Sequence, residues 1–238
     1  MVVLKPFLKH AVSALLIGLF LALGVFTLGK ALLFDRIFFT ALLFLAFFFR
    51  KDINLLGVIC IIIAERILEE VGFLIILDIP PLKFLFYGLC LYLLQFRQKD
   101  GLVWPVLISL LAFISVEIYW WLTDYKFLNT HWYVFLISLN LLVRKAISSR
   151  AFWTVENLKK GIHAEPLKLD YYIYQLAGAH AVVNLLILAE YMVRHLWQTD
   201  LLFVHTNYAL VNHILAVLSL FLLADQSIKV SQMRQMKA

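Results

Sequence analysis

Residues Asn54–Leu77 read NLLGVICIIIAERILEEVGFLIIL. The run is long enough to cross a bilayer as a helix, since a span needs about 20 mostly apolar residues. It also holds four charges, Glu65, Arg66, Glu69 and Glu70, at depths where lipid solvates charge poorly. The first property predicts a membrane fold, and the second predicts where its chemistry lies.

Working outward, seven further apolar runs have comparable length: Phe7–Gly29, Ala31–Phe49, Ile79–Phe96, Leu102–Leu122, Phe127–Val143, Tyr171–Val193 and Leu201–Ala224. The breaks between them carry charge or proline, as in Arg50-Lys51-Asp52, Asp78-Ile79-Pro80-Pro81 and Arg97-Gln98-Lys99-Asp100-Gly101. Composition agrees. Of the 238 residues 63% are apolar and 15% charged, and the mean hydropathy is +0.90. Soluble domains average about 45–50% apolar and about 25% charged, so a soluble enzyme, a nucleic-acid-binding domain and a disordered chain are all excluded. Cys60 and Cys90 both fall in apolar runs, and no disulfide framework is indicated.

The sequence therefore predicts an all-α, polytopic membrane bundle of about eight transmembrane helices, forming one integral membrane domain over residues 1–238. The second span is the weakest of the eight, a short or re-entrant segment being its alternative. The Lys5–Lys9 patch and the run after it are read as a retained first helix, because no convincing small-x-small cleavage site follows.

Basic residues set the orientation. With the N-terminus in the cytoplasm, 15 of the 21 Lys and Arg residues fall on the inner side and five on the outer. That asymmetry predicts both termini inside, a cytoplasmic loop over residues 144–170 and a basic tail over residues 225–238. Trp120, Trp121, Trp132 and Trp197 fall at outer ends and Trp104 at an inner one, as interfacial tryptophans do. The net charge of +6 is thereby topological. The expected location is the inner (plasma) membrane, the expected partners are the lipid bilayer with further copies of the chain or other membrane subunits, and nucleic acid is not expected.

Function is sought among the residues that break the apolar pattern. A charge at a helix centre costs about 2.5–3.5 kcal/mol on insertion scales. Glu65, Arg66, Glu69 and Glu70 share one side of their helix, an arc of roughly 140° at 100° per residue, so this side is expected to face protein or water. Arg66 can pair with Glu69 or Glu70, but one arginine does not neutralise three glutamates. Other spans add Glu117, His180 with Asn184, Glu190, His205, and Asn212 with His213. Glutamate and histidine relay protons and bind cations. The favoured expectation is a transporter, channel or membrane-complex subunit that passes a proton or small cation, without being an enzyme. The first alternative is a scaffold subunit whose intramembrane charges dock a partner helix.

A second alternative rests on Glu69-Glu70, Phe127-Leu128-Asn129-Thr130-His131 and His180-Ala181-Val182-Val183-Asn184. In order, these resemble the EE, FxxxH and HxxxN elements of the CAAX-protease and bacteriocin-processing membrane family. The resemblance covers about a dozen residues and implies an intramembrane hydrolase in which a glutamate and histidines activate water. It requires Glu70, His131 and His180 to converge. The arginine that family carries after its acidic pair is absent, Leu74 standing there.

No cofactor is assigned. His180 and His213, at matching depth, are the pair a b-type haem would use, and the acids and histidines are the donors a divalent metal would use. No buried lysine offers a Schiff base, and no CxxC, HExxH or Gly-rich phosphate loop occurs. Ala14, Gly18 and Ala22 on span one predict close helix contact.

Overall fold

The computed structural model describes residues 15, 18, 19, 22–76, 82–95, 101–124, 131–157 and 164–235. Among these, all regular structure is helical, with no strand. Helix α1 is described over residues 22–26 and at residues 15, 18 and 19. It is followed by α2 (Ala31–Phe48), α3 (Ile53–Ile76), α4 (Leu82–Gln95), α5 (Val103–Leu122), α6 (His131–Asn157), α7 (Lys168–Trp197) and α8 (Phe203–Gln235). Most of the first expected span lies outside the described residues.

Three of the described helices are long and apolar enough to cross a membrane: α5, α7, and α8 over Phe203–Lys229. Among the described residues the protein is all-helical, with three helices whose length and composition suit a membrane protein. The others differ for physical reasons. α3 has the length, at 24 residues, but carries the four charges. α4 has only 14 residues, about 21 Å at 1.5 Å per residue. α6 is apolar in its first half and carries Arg144, Lys145 and Arg150 in its second.

Two compact units divide the chain. Unit 1 comprises Met1–Ile63, Ser149–Ile173 and Leu210–Ala238; unit 2 comprises Ala64–Ser148 and Tyr174–Ala209.

In unit 1, α2 buries Phe34, Phe38 and Leu42, spaced by four, and leaves Phe44, Phe47 and Phe48 exposed. The first part of α3 buries Leu55, Val58, Ile59 and Ile62, the i, i+3, i+4, i+7 stripe of a helix with one inward face. Asp52 starts this helix: its Oδ1 accepts the backbone N–H groups of Asn54 (3.1 Å) and Leu55 (3.2 Å), the two donors an N-cap satisfies. The expected close contact on span one falls at Gly24, against Val217 of α8, while Gly18 has no neighbour at that range. The small-residue face at Ala22 and Gly18 is exposed.

In unit 2, α5 buries Val103, Val106, Leu110, Phe113, Glu117 and Trp120, again one stripe, so Glu117 lies on the core face by its spacing. Those residues pack with Phe86, Cys90 and Leu93 of α4, Val134 and Leu139 of α6 and Leu188 of α7. Trp120, expected at the outer interface, is instead enclosed by Tyr191 and His195, with ring centroids 5.9 Å from each. Trp104, Trp121 and Trp197 are exposed.

The expected loop over 144–170 is largely helix. α6 continues to Asn157 and α7 begins at Lys168, because Arg144 and Arg150 are buried inward rather than solvated. The expected tail is helix as far as Gln235, and within it Lys229 and Asp225 form an i,i+4 pair of 2.6 Å that supports the helix.

Candidate functional site

Of the acidic cluster on α3, the expected pairing forms at i,i+3. Arg66 Nη1 donates to Glu69 Oε2 at 2.8 Å, with the two side chains 23% and 31% exposed. Glu65 is half-buried and Glu70 exposed. The neighbouring Ile67, Leu68, Val71, Phe73 and Leu74 are exposed too. Gly72 faces the other way, against the Phe135 ring of α6. In unit 2 the second half of α3 therefore turns a narrow edge toward Phe135 and leaves Glu70 exposed, with Glu65, Arg66 and Glu69 part-exposed.

The remaining candidates separate into small, satisfied groups. Glu117 is 7% exposed and accepts a hydrogen bond from the Tyr87 hydroxyl of α4 at 3.0 Å. Glu190, also buried, closes the start of α8: Oε2 accepts the Val204 N–H at 2.5 Å and Oε1 that of His205 at 2.9 Å. This is anion binding at a helix N-terminus, supplied by the protein itself. The His205 side chain is exposed. Asn184 donates through Nδ2 to the His180 carbonyl (2.9 Å) and accepts from the Tyr208 hydroxyl (2.7 Å). His180 is half-buried.

Within unit 1, His213 Nε2 reaches the Gly24 carbonyl at 2.8 Å and lies 3.4 Å from Thr27 Oγ1. Its ring packs on Phe34 with centroids 4.5 Å apart. As donor to a carbonyl, Nε2 carries the proton and has no lone pair to offer a metal. Asn212, its neighbour, is half-buried.

Among the described residues no three His, Cys, Asp or Glu side chains gather closely enough to hold a metal ion. Of the hydrolase triad, Glu70 is exposed, and residues 125–130 and the His131 side chain lie outside the described residues. The chain matches no protein-family model, no curated protein and no solved structure.

Two buried arginines escaped the reading of the sequence, which counted them as topological charges. Arg150, in unit 1, has its guanidinium held by polar partners. Nε and Nη2 donate to the two Asp170 oxygens at 2.8 and 2.7 Å, and Nη2 also reaches the Glu165 carbonyl at 2.9 Å. Nη1 lies 3.3 Å from Asn54 Oδ1, which also accepts the Glu165 N–H at 3.0 Å. Asp170 Oδ2 takes the Leu167 N–H at 2.7 Å, so this one carboxylate neutralises the guanidinium and caps the start of α7. Arg144, in unit 2, stacks over the Tyr174 ring 3.7 Å from its centroid and donates Nη1 to the Tyr174 carbonyl at 2.9 Å. Gly178 gives it room, because a methyl there would fall on Nη1. The signal that could have found both lies in glycine: Gly57 faces Arg150 and Gly178 faces Arg144, and each sits inside an otherwise regular helix.

Proposed function

We propose that the protein is a multi-pass plasma-membrane subunit of a complex that handles a proton or small cation, with eight spans and both termini in the cytoplasm. The observation that carries this reading is the α3 face bearing Arg66, Glu69 and Glu70, part-exposed among exposed apolar residues. Lipid is a poor neighbour for it, since each charge at depth costs about 2.5–3.5 kcal/mol. Three glutamates against one arginine leave acidic excess, so the complementary neighbour is a partner helix bearing a basic or hydrogen-bond-donating side chain. The glutamates at that seam then offer sites for a cation or proton. The Glu117–Tyr87 pair is a second titratable element at similar depth, buried within unit 2.

The test combines Glu69→Gln with Glu70→Gln in the full chain, expressed in its native membrane. Partner subunits that co-migrate with the unaltered chain after mild detergent extraction are expected to be lost, together with cation-driven pH changes in the membrane vesicles. Loss of the partner with ion movement intact assigns the face to the scaffold role. Retention of both sinks the reading.

A further inference from the structure

Through its middle α6 is enclosed on every side: each residue from Val134 to Leu141 is buried. Two of them are polar. Ser138 is satisfied, its Oγ donating to the Val134 carbonyl at 2.9 Å and lying 3.3 Å from that of Phe86 on α4. Asn140, 5% exposed, is satisfied at one end only. Its Nδ2 donates to the Leu136 carbonyl at 2.8 Å, while Oδ1 is buried and meets no donor among the described residues. Turning the amide over would set its oxygen against the Leu136 carbonyl, acceptor to acceptor, so the oxygen is the end left over.

An acceptor buried without a donor carries its full desolvation cost, which a leucine of similar size in the same place avoids. An asparagine here is therefore matched to a donor small enough to enter a packed core. The register of the seam names its surroundings. Arg144, one turn after Asn140, meets Tyr174 and Gly178 of α7. Tyr133, two turns before it, packs its ring on Tyr208 of α8, whose hydroxyl bonds Asn184 of α7. α6 and α7 thus run antiparallel here, and Asn140 falls opposite the stretch between Gly178 and Asn184. At about 100° per residue, Ala177, Ala181 and Asn184 share one face of α7. Both alanines are buried, so this part of the seam is walled by methyl groups rather than long side chains. Asn184 gives one amide hydrogen to the His180 carbonyl and has a second to give, since a side-chain amide carries two.

We propose that Asn140 Oδ1 holds a water molecule at the α6–α7 seam, linked on its other side to the Asn184 amide. Water is the ligand whose size and donor capacity suit a single buried acceptor, and it is held by about two to four polar partners. Oδ1 accepts one of its protons, and its own oxygen accepts from Asn184 Nδ2. The site lies wholly within unit 2 and is independent of the cation reading of α3.

The test is X-ray hydroxyl-radical footprinting of the purified full chain in detergent, because a water held in a core is radiolysed in place and oxidises the side chains that touch it. At least one of Leu136, Ile137 and Leu141, on the turns around Asn140, is expected to be oxidised several-fold more than Leu110, which is buried in the same apolar cluster. After mixing into heavy-oxygen water, that label is expected to take up the isotope more slowly than the label on exposed Trp121, as a held water exchanging with bulk solvent does. Asn140→Leu is expected to bring the oxidation down to the level of Leu110, and Asn184→Leu to lower it. Should both variants fail to fold, the heavy-oxygen measurement on the unaltered chain carries the test. Oxidation no greater than that of Leu110, isotope uptake as fast as at Trp121, or undiminished oxidation in either folded variant overturns the proposal. These readouts concern the isolated chain, so they are separate from partner loss or ion movement.

Discussion

The guanidinium of Arg150 and the carboxylate of Asp170 meet side on, Nε to Oδ1 at 2.8 Å and Nη2 to Oδ2 at 2.7 Å, across twenty residues of sequence. This bidentate geometry is the strong form of the ion pair. With the arginine side chain 3% exposed and the aspartate 13%, removing either partner leaves a buried charge uncompensated. Arg150→Ala and Asp170→Asn are each expected to cost about 3–5 kcal/mol, read as a fall of roughly 10 °C in the midpoint of detergent melting. Arg150→Lys is expected to fall between, since an ammonium keeps the charge and loses the fork. A midpoint within a degree of the unaltered chain for both partner deletions contradicts this account.

At Gly72 the contact is steric. An added methyl would overlap the Phe135 ring, so Gly72→Ala is expected to destabilise by about 1–3 kcal/mol. Pairing it with Phe135→Leu is expected to recover much of the loss, as a shared contact requires. Gly88→Ala is the control: nothing lies near that position, and replacing a helical glycine there is expected to stabilise by about 0.5–1 kcal/mol. Equal melting for Gly72→Ala and the unaltered chain would remove the close α3–α6 contact.

Tyr87→Phe takes from Glu117 the hydroxyl donor at 3.0 Å. Stranding one partner of a buried hydrogen bond costs about 1–3 kcal/mol, so the single variant is expected to lose stability in that range. Glu117→Leu alone leaves the buried phenol without this acceptor and is expected to cost at least about 1 kcal/mol. Making both changes together is expected to cost less than their sum, because the two single variants remove the same hydrogen bond. Strict additivity in the double-mutant cycle is the contrary result.

For Glu190 the expected readout is local. Glu190→Gln keeps an acceptor and loses the charge that complements the α8 N-terminus, a difference of about 0.3–1 kcal/mol and up to about 2 when partly buried. The amides of Val204 and His205 are expected to exchange hydrogen several-fold faster, with the middle of α8 unchanged. Unaltered exchange at those two amides rules out the cap.

How far the sequence carried this structure depends on the range of the interactions involved. α5 was expected over Leu102–Leu122 and runs Val103–Leu122, because a single apolar stripe between Gly101 and Thr123-Asp124 fixes it locally. The Arg66–Glu69 pair was legible for the same reason, both residues lying on one helix face. The extent of α6 was not legible. Arg144 and Arg150 look like loop charges until their partners are known, and Asn54 and Asp170 lie 96 and 20 residues from Arg150. The local partners of Trp120 and Glu190 were not legible either. The first belongs to a ring cluster and the second to a helix end fourteen residues away, and neither relationship has a periodicity to betray it.

The bond from Glu190 to the first amides of α8 also bears on how the chain enters its membrane. While α7 emerges, its acid has no donors of this kind, since Val204 and His205 have not yet been made. An unaccompanied carboxylate on an apolar helix opposes release into lipid. The two helices are therefore expected to leave the insertion machinery together as a hairpin, and nascent chains halted before Val204 should keep α7 crosslinked to the translocon, whereas Glu190→Leu should free it.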